Sequence, residues 1–398
     1  MAEGTPLRVG IVGAGLAARF HVDGYRRVHG LPVEVVGVSS RTPKRRKAFA
    51  AEHGIRSFAS LEELIDAVDL VSICSPPYAH APAAELALER GRHAVVEKPF
   101  CGAYGSGRPS FRGDRARKQP MLEQALAACD HVIAAGRRGR ANLGYAENWV
   151  YSPAIQKERE ILLKTGGQIL WMLGEESHSG SHAPSYGVWA EAGGGSLVGK
   201  GCHPLTAALY LKQEEGRANG GRPIRPATVS ARTHELTRER GYRDEGHLRT
   251  DYLDVEDYSQ VHVVFEDGTV ADVFCGEVVL GGISSWLEVR TNNHRSRCSL
   301  NPIDAVTTYA PREELLRDVY VVEKIETKQG WSRPAPDEDW MNGYPQQFQD
   351  FAEAAVEGRE PLCGGLLARD TVAVMYSAYV SAERKGAEVR VPRRAVRR

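Results

Sequence analysis

The feature that most constrains this chain is a glycine-rich turn near its start. The stretch Leu7–Ala18 is an apolar run followed by Gly13, Gly15 and Ala18 at the spacing G-x-G-x-x-A. Gly13 permits a tight turn out of a strand, Gly15 lets a pyrophosphate approach the backbone, and Ala18 allows the following helix to pack closely. This pattern predicts a dinucleotide-binding βαβ unit with the phosphates at the helix N-terminus.

The end of the second predicted strand, Val33–Val38, bears on which dinucleotide binds. Ser40 and Arg41 follow this strand, where an NAD-specific site usually places an acidic residue that accepts hydrogen bonds from the adenosine ribose. A 2′-phosphate instead requires neutral donors and an arginine. The sequence therefore favours NADP over NAD, while Lys44 and Arg45 either add charge or form a solvated helix turn.

Alternating strands and helices continue along the first part of the chain. This alternation predicts a doubly wound parallel sheet, an α/β fold that binds ligands at the carboxyl ends of its strands. Ser75–His80 and Glu97–Pro99 follow two such strands and are expected to face the cofactor. The other elements predicted within this first domain, residues 1–145, are strands at Leu70–Cys74, His93–Val96 and Ala141–Tyr145 and helices at Ala83–Arg90 and Met121–Ala135.

The second domain, residues 146–398, has the two-residue period of strands. Tyr258–Phe265 and Thr269–Cys275 are β-rich runs joined around Asp267 and Gly268, which is a hairpin signal. Further strands that predict a mostly antiparallel sheet are Ile169–Gly174, Ala227–Thr233, Ser284–Arg290 and Val319–Ile325. The stretch Leu211–Arg225 is predicted to be an exposed loop, and closing helices are predicted at Tyr344–Val356 and Ala368–Arg384.

Composition excludes several classes of protein. The 51 basic and 51 acidic residues cancel, which removes the electrostatic case for a nucleic-acid or membrane-surface partner. No apolar run reaches the roughly 18 residues of a membrane span, and no signal peptide is recognised, so a cytoplasmic location is expected. The seven cysteines are scattered and never form a C-x-x-C pair, which predicts reduced thiols.

Residues 101–120 are predicted to be an inserted basic loop. The five basic residues of this stretch accompany one acid and several glycines, a composition typical of a mobile, solvated excursion. Its position just after Lys98 leaves open a lid over the site or a contact with a neighbouring subunit. The basic residues are Arg108, Arg112, Arg115, Arg117 and Lys118.

Four motifs together resemble one known family. They are the fingerprint at Gly13, the sequence S-P-P-x-x-H at Ser75–His80, E-K-P at Glu97–Pro99, and G-G-G-S-L followed by G-C-H at Gly193–His203. This combination is similar to the glucose-fructose oxidoreductase and inositol dehydrogenase family, Gfo/Idh/MocA. The resemblance implies a Rossmann domain, a second α/β domain with a large open sheet, and a nicotinamide cofactor acting on a sugar, sugar derivative or cyclitol.

The resemblance also assigns site residues. Lys98 is expected to polarise the reacting oxygen and His203 to move the proton. The expected cofactor-binding residues are Gly13, Gly15, Leu16, Ala17, Ser40, Arg41, Ser75, Pro76, His80, Glu97 and Lys98. The expected substrate-binding residues are Lys98, Asn148, Trp149, His178, His182, Tyr186, Lys200 and His203. No metal site is predicted, although His178 and His182 with Glu175 have ligand spacing.

One position departs from the family pattern. Relatives usually carry an Asp four residues before the motif histidine, where this chain has Gly199. Either His203 works without a carboxylate, or Lys200, Tyr186 or Glu175 substitutes, or the protein has lost dehydrogenase activity. Reversible oxidation of a secondary hydroxyl is the leading hypothesis; redox-neutral glycoside cleavage and a non-catalytic cofactor-binding sensor are the alternatives. A homodimer or homotetramer is expected because the face of a wide antiparallel sheet is a large patch to leave in water.

Overall fold

The computed structural model describes residues 5–105 and 110–393 of the chain. Its N-terminal part contains a six-stranded parallel sheet with the order β3-β2-β1-β4-β5-β6. The order reverses between β1 and β4, and the crevice at such a switch point is where doubly wound sheets bind ligands. The strands are β1 (Leu7–Val12), β2 (Val33–Ser39), β3 (Arg56–Phe58), β4 (Leu70–Ile73), β5 (His93–Glu97) and β6 (Leu143–Ala146).

Helices connect these strands and begin where local chemistry predicts. Ser60 caps α3, because its hydroxyl accepts the backbone N–H of Glu63 at 3.1 Å. Pro43 occupies the first turn of α2, where its missing N–H costs nothing. The helices are α1 (Leu16–Arg26), α2 (Pro43–His53), α3 (Leu61–Ala67), α4 (His80–Glu89) and α5 (Lys118–Gly139).

The second sheet has seven strands in the order β12-β11-β7-β10-β9-β8-β15. β7 and β10 pair in parallel, and the other neighbours pair antiparallel, as predicted for a mostly antiparallel sheet. The predicted hairpin at Asp267 and Gly268 joins β9 and β10. The strands are β7 (Ile169–Ser177), β8 (Pro226–His234), β9 (Tyr258–Phe265), β10 (Val270–Gly276), β11 (Ser284–Thr291), β12 (Arg295–Asn301) and β15 (Val389–Arg390).

Helices cover one face of the second sheet. α8 contacts β7, β10 and β11 and follows a π-helical turn at Leu197–Gly201, so the predicted motif histidine lies in the first turn of a long buried helix. The helices between β6 and β8 along the chain are α6 (Pro153–Thr165), α7 (Trp189–Ala192) and α8 (Cys202–Gly220). No helix within the described ranges combines the length and apolarity that crossing a membrane requires.

The C-terminal helices return to the first sheet and its helices. The Phe348 ring lies over Gly24 of α1, where an added Cβ would come within 1.9 Å of it, and Phe351 packs on Gly144 of β6 in the same way. The division into domains at residue 145 therefore stays a prediction, since these helices contact both parts. They are α9 (Glu338–Met341), α10 (Tyr344–Glu357) and α11 (Gly365–Glu383), preceded by a small sheet of β13 (Thr308–Ala310) and β14 (Gly330–Ser332).

Two predicted elements are wrong. Val319–Ile325 is irregular rather than a strand, and Tyr320 is 62% exposed, because the run has no neighbouring strand to pair with in the described residues. Leu211–Arg225 is helical as far as Gly220 rather than an exposed loop. Its charges are compatible with burial because Lys212, fully buried, pairs with Glu215 at 2.7 Å and Asp267 at 2.8 Å.

The predicted basic insertion packs against the second domain on both sides of residues 106–109, which include Arg108 and lie outside the described residues. The Ala103 backbone N–H donates to the Tyr376 hydroxyl at 2.8 Å, and the Gly113 N–H donates to Asp254 at 2.7 Å. The Trp189 ring covers Gly113 so closely that no side chain fits there. Small residues and two of the basic side chains hold this segment in place, since Arg112 donates to the Leu253 carbonyl and the Lys118 ammonium to the Gly113 carbonyl, both at 2.8 Å.

Candidate active site

The turn between β1 and α1 has the shape that a dinucleotide requires. Gly13 has φ +117° and lies so close to strand β4 that an added Cβ would approach the Cys74 carbonyl oxygen to 2.5 Å. At Gly15 an added Cβ would meet open space, and this residue caps α1 without any side-chain hydrogen bond. The first amides of α1, including those of Leu16 and Ala17, are therefore open to an anionic pyrophosphate.

The end of β4 supplies a further indication of a missing ligand. The Ser75 hydroxyl is buried and has no hydrogen-bond partner in the described part of the chain, so a ligand group there would satisfy it. Pro76 follows directly. His80 is committed to the protein, because one ring nitrogen contacts the Pro99 carbonyl and the other the Ser75 carbonyl, both at 2.8 Å. His80 thus links the loops at Ser75 and Pro99, both of which belong to the predicted cofactor site.

The end of β2 carries a cation without an acidic partner in the described ranges. Arg41 hydrogen-bonds the Tyr78 hydroxyl, and its guanidinium lies 5.3 Å from the centre of that ring. The Ser40 carbonyl accepts from Arg46 at 2.9 Å, which fixes the turn. Arg41 is exposed, so its donors face solvent beside the site that the sequence assigned to the cofactor.

Lys98 projects from the end of β5 toward the glycine-rich motif of the second domain. Its ammonium donates to the Gly199 carbonyl at 2.9 Å and lies 5.4 Å from the centre of the Tyr186 ring. Burial lowers the pKa of Lys98. Coulombic interactions with neighbouring acidic groups, led by Tyr186 and including Glu97, outweigh burial, so the pKa is raised overall. Lys98 is therefore charged, and one of its three N–H donors is used by the Gly199 carbonyl in the described structure.

His203 lies one helical turn beyond Gly199 and is backed by a carboxylate. Its Nδ1 lies 2.6 Å from Glu147, which is fully buried at the end of β6. Since a carboxylate only accepts, the neutral imidazole carries its hydrogen on Nδ1 and presents the Nε2 lone pair. The Trp149 ring, 2% exposed, stacks 6.1 Å from His203, which places it behind the imidazole, and Asn148 donates to the Asn342 carbonyl at 2.7 Å.

The neighbours of Gly199 leave room for a Cβ at the position of the missing acid. An added Cβ on Gly199 would contact Tyr186 at an ordinary 3.5 Å, so a side chain fits there without strain. Lys200, the next residue, points away from this space. Its ammonium ion-pairs with Glu277 and donates to Ser181 at 3.0 Å, and both charged side chains are 3% exposed. The charge of Lys200 is therefore neutralised by a buried carboxylate of the protein.

The polar residues at the end of β7 divide between the two faces of the sheet. Glu175 accepts from the Trp286 indole at 3.0 Å on the outer face, whereas Glu176 faces inward and accepts from the Ser285 hydroxyl. Burial raises the pKa of Glu176, and the charges of His203, Lys200 and Lys98 act on it. Among the glutamates of this strand, Glu176 rather than Glu175 lies beside the predicted catalytic pair.

The two histidines after β7 differ in environment. Burial, with the charges of Lys200 and Lys324, lowers the pKa of His178 far below its usual value, so this imidazole is neutral. His182 is largely exposed and contacts Glu323 at 3.1 Å. These residues do not converge with Glu175. The described residues instead bring together Glu147, Cys202 and His203, all buried. Burial raises the pKa of the Cys202 thiol, and the predicted absence of a metal stays a prediction.

Sequence analysis did not identify Glu147 and Glu277, the two carboxylates that pair with His203 and Lys200. A signal existed for Glu147, because it follows β6, the strand that pairs with β5 and aligns Ala146 with Glu97. Carboxyl ends of adjacent parallel strands meet at one edge of the sheet, which places Glu147 near Lys98. Glu277 follows β10 and carried no motif. Tyr78, the partner of Arg41, was also missed.

Comparison with known proteins agrees with this architecture. Residues 7–108 match the family described as an oxidoreductase family with an NAD-binding Rossmann fold, Gfo/Idh/MocA. UDP-N-acetylglucosamine 3-dehydrogenase of Acidithiobacillus ferrooxidans is 36% identical over 94 residues, 24% of this chain and 29% of that protein. D-glucoside 3-dehydrogenase of Escherichia coli is 30% identical over 220 residues, 52% of this chain and 54% of that protein. These matches thus span about half or less of the relatives' own length.

Solved structures extend the likeness to nearly the whole chain. GenD2 from gentamicin A biosynthesis, in complex with NAD, superposes with a TM-score of 0.77 at 23% identity, covering 98% of this chain and 97% of that one. A myo-inositol 2-dehydrogenase from Lactobacillus plantarum superposes with a TM-score of 0.70 at 17% identity over 98% and 100%. Residues 7–108 therefore match the Gfo/Idh/MocA oxidoreductase family, and over nearly its whole length the chain has the fold of these structures.

Proposed function

We propose that the protein is a nicotinamide-dependent oxidoreductase acting on a secondary hydroxyl, or the corresponding ketone, of a sugar, sugar derivative or cyclitol. The observation that carries this proposal is the meeting of Lys98 with the helix turn that bears His203. Lys98 binds the Gly199 carbonyl, and His203 follows one turn later with Glu147 behind it. A charged donor and an oriented base in one cleft are the groups that alcohol oxidation needs.

The roles of the side chains follow from their contacts. The Lys98 ammonium donates to the reacting oxygen and stabilises negative charge on it. His203 accepts the hydroxyl proton at Nε2, while Glu147 holds the Nδ1 hydrogen and stabilises the imidazolium that results. When bound, the nicotinamide supplies the hydride acceptor or donor. Glu147 thus takes the orienting role that Gly199 cannot fill, and no other relay is required.

The cofactor site favours NADP within an NAD-binding family. Arg41 has no acidic partner in the described chain, and Ser40 stands where an acid would repel a 2′-phosphate. Arg41→Ala is expected to weaken NADP by about 1–3 kcal/mol and NAD much less, as for loss of a charge-assisted bond. Calorimetric titration of both cofactors measures this. Equal weakening of the two cofactors would contradict the preference, and Lys47→Ala, an exposed lysine further along α2, is the matched control.

The substrate proposal draws on the relatives' names as well as the cleft. Several of the similar curated proteins are named as dehydrogenases or reductases at position 3 of a sugar. His178, Tyr186 and the exposed His182 are proposed to contact substrate hydroxyls. A panel of hexoses, nucleotide-linked hexoses and inositols is therefore the starting point. Slower turnover of a substrate carrying deuterium at carbon 3 would identify the carbon oxidised.

One assay separates the three functional hypotheses. Net growth of reduced-nicotinamide absorbance with a member of the panel supports the dehydrogenase. Release of an aglycone from a glycoside without net absorbance change would replace it with redox-neutral cleavage. Cofactor binding with neither signal would replace it with a sensor, and absence of binding to either cofactor would overturn the whole proposal.

The open face of the second sheet supports a proposed homo-oligomer. It carries Trp171 and Trp286, each stacked by an arginine at 4.0 Å, rather than a purely apolar surface. Tryptophan and arginine are enriched at protein interfaces. A dimer or tetramer is expected in light scattering, and a monomer at micromolar concentration would contradict it. A cytoplasmic location is likewise proposed, consistent with seven buried cysteines that form no disulfide in the ranges described.

A further inference from the structure

A buried polar chain links the dinucleotide helix to the catalytic lysine. His21, in α1, is fully buried and lies between two polar partners. Its Nε2 is 3.0 Å from one oxygen of Glu97, and its Nδ1 is 2.6 Å from the Ser72 hydroxyl. The other oxygen of Glu97 accepts the backbone N–H of Lys98 at 2.9 Å. Helix α1 and the end of β5 are thus joined through one carboxylate.

Glu97 needs this partner because it is nearly enclosed. Its side chain is 13% exposed, and burial alone would raise its pKa. The hydrogen bond from His21, with the charges of His21 and Lys98, instead lowers the pKa of Glu97, so the carboxylate is ionised. A buried carboxylate that loses its hydrogen-bond donor gains most from the nearest cation. Here that cation is the ammonium of the adjacent Lys98.

We propose that His21 is a positioning residue that acts through Glu97, holding this carboxylate on the α1 side so that the Lys98 ammonium stays available to the substrate. The inference rests on the proposed function for its catalytic consequence. The contacts of His21 are with Ser72, Glu97 and the Phe348 ring, none of which belongs to the fingerprint turn. Without His21, Glu97 captures Lys98 in an ion pair and draws it away from the Gly199 carbonyl and the cleft.

Chemical labelling tests the placement without any turnover. Lysine acylation by acetic anhydride, followed peptide by peptide in the full chain without cofactor, reports the reactivity of Lys98. His21→Asn is expected to slow labelling of Lys98 several-fold, because an ion-paired amine is a poorer nucleophile. Glu97→Gln is expected to label at least as fast as the original chain. The double variant is expected to recover, since it leaves no carboxylate to capture the lysine.

Kinetics then separate positioning from loss of structure. His21→Asn is expected to lower kcat by about 10- to 100-fold, the scale of a misplaced catalytic group, with KM for the cofactor unchanged. Adding Glu97→Gln is expected to restore part of that loss. Tyr25→Phe is the matched control, because Tyr25 packs on the same Phe348 ring and lies beside Ser72 but does not contact Glu97. It is expected to leave both labelling and kcat unchanged.

Several results would overturn the inference. Unchanged Lys98 labelling in folded His21→Asn would do so, and so would equal loss in the single and double variants. If His21→Asn does not fold, the double variant supplies the comparison: labelling slower than in Glu97→Gln alone would show that His21 acts other than by restraining the carboxylate. If the proposed function itself fails, the original chain shows no turnover while the labelling pattern still decides the role of His21.

Discussion

The two lysines that border the cleft, Lys98 and Lys200, show how differently one residue type is used on its two sides. Lys98, from the first sheet, donates to a single carbonyl, that of Gly199. Lys200, from the π-helical turn of the second domain, is enclosed by Glu277 and Ser181 and is 3% exposed. Among the described residues a buried carboxylate pairs directly with Lys200 and none pairs directly with Lys98, so Lys98 is the candidate for chemistry and Lys200 holds structure. Proximity to a motif therefore does not identify the reactive lysine. Whether a neighbouring carboxylate neutralises the charge of the lysine is the better criterion.

The largest effect is expected on the structural side. Lys200→Met leaves the Glu277 carboxylate buried without a cation and is expected to cost about 3–5 kcal/mol of unfolding free energy. Urea titration measures the change. Lys157→Met is the matched control, because Lys157 also pairs with a glutamate but is 66% exposed, so that about 0–1 kcal/mol is expected there. An equal loss of unfolding free energy in the two variants would show that the buried pair of Lys200 is no more important for stability than the exposed pair of Lys157.

The catalytic side is expected to respond in rate instead. Lys98→Met is expected to lower kcat by about 10²–10³-fold, the range for losing one preorganised donor to the reacting oxygen. His203→Ala is expected to lower it by at least about 10²-fold through loss of the general base. Cofactor affinity, measured by calorimetry, and the urea midpoint are expected to change little. Near-native turnover in Lys98→Met would show that Lys98 is not the catalytic cation.

A pH dependence sharpens the comparison, because Glu256 anchors the segment that leads to Gly199 and Lys200. Its carboxylate accepts the Gly195 N–H at 3.2 Å, the Leu197 N–H at 2.9 Å and the Tyr379 hydroxyl at 2.8 Å. Burial raises the pKa of Glu256 from 4.5 to about 7. Between these two pH values the folded protein retains a proton that the unfolded chain releases, so stability falls as pH rises.

The expected size of this pH effect is about 3 kcal/mol between pH 4.5 and 7. Glu256→Gln cannot ionise and is expected to lack this contribution. Urea titrations of both proteins across the range measure it, since the difference between the two curves cancels other titrating groups. Parallel curves would show that Glu256 has the same pKa folded and unfolded.

The smallest effect on kcat is expected from replacing Gly199 by aspartate, the residue that the family pattern has at this position. Gly199→Asp fits because its Cβ would meet Tyr186 at 3.5 Å, and it offers Lys98 a carboxylate such as Lys200 already has. Since Glu147 already orients His203, kcat is expected to change by less than about tenfold. Steady-state kinetics measure it, with Gly199→Ala as the control for size. A gain of 100-fold or more would show that the relay is incomplete without this acid.

Features of the fold that depend on residues close together in the sequence were predicted, whereas features that depend on distant residues were not. The fingerprint turn at Gly13 and the hairpin at Gly268 depend on local backbone geometry, and both are confirmed. The burial of Lys212 depends on Asp267, 55 residues away, and the run at Val319–Ile325 needed a neighbouring strand that the described fold does not supply. Local patterns predict turns and periods, but they do not predict the distant partner that makes a charge compatible with burial.

The same distinction applies to the site. Lys98 and His203 lie in recognisable motifs, and the structure brings both to the turn at Gly199, whose carbonyl accepts from Lys98 and which His203 follows one turn later. Their supporting groups do not lie in motifs, because Glu147 reaches His203 across 56 residues and Glu277 reaches Lys200 across 77. Glu175 and Glu176 differ only by strand alternation, which one residue of register error reverses. The candidate catalytic pair could thus be proposed from the sequence, whereas the carboxylates that pair with His203 and Lys200 required the tertiary structure.

The seating of Phe348 on α1 has a consequence for biosynthesis. The last strand of the first sheet is complete at Ala146, yet the ring that covers Gly24 and contacts His21 and Tyr25 is encoded 202 residues later (348 − 146). At about 5–20 residues per second, the ribosome needs roughly 10–40 s to supply it. During this interval the nascent dinucleotide-binding region carries an uncovered apolar surface. Chaperones that bind such surfaces therefore have time to act before the chain is finished.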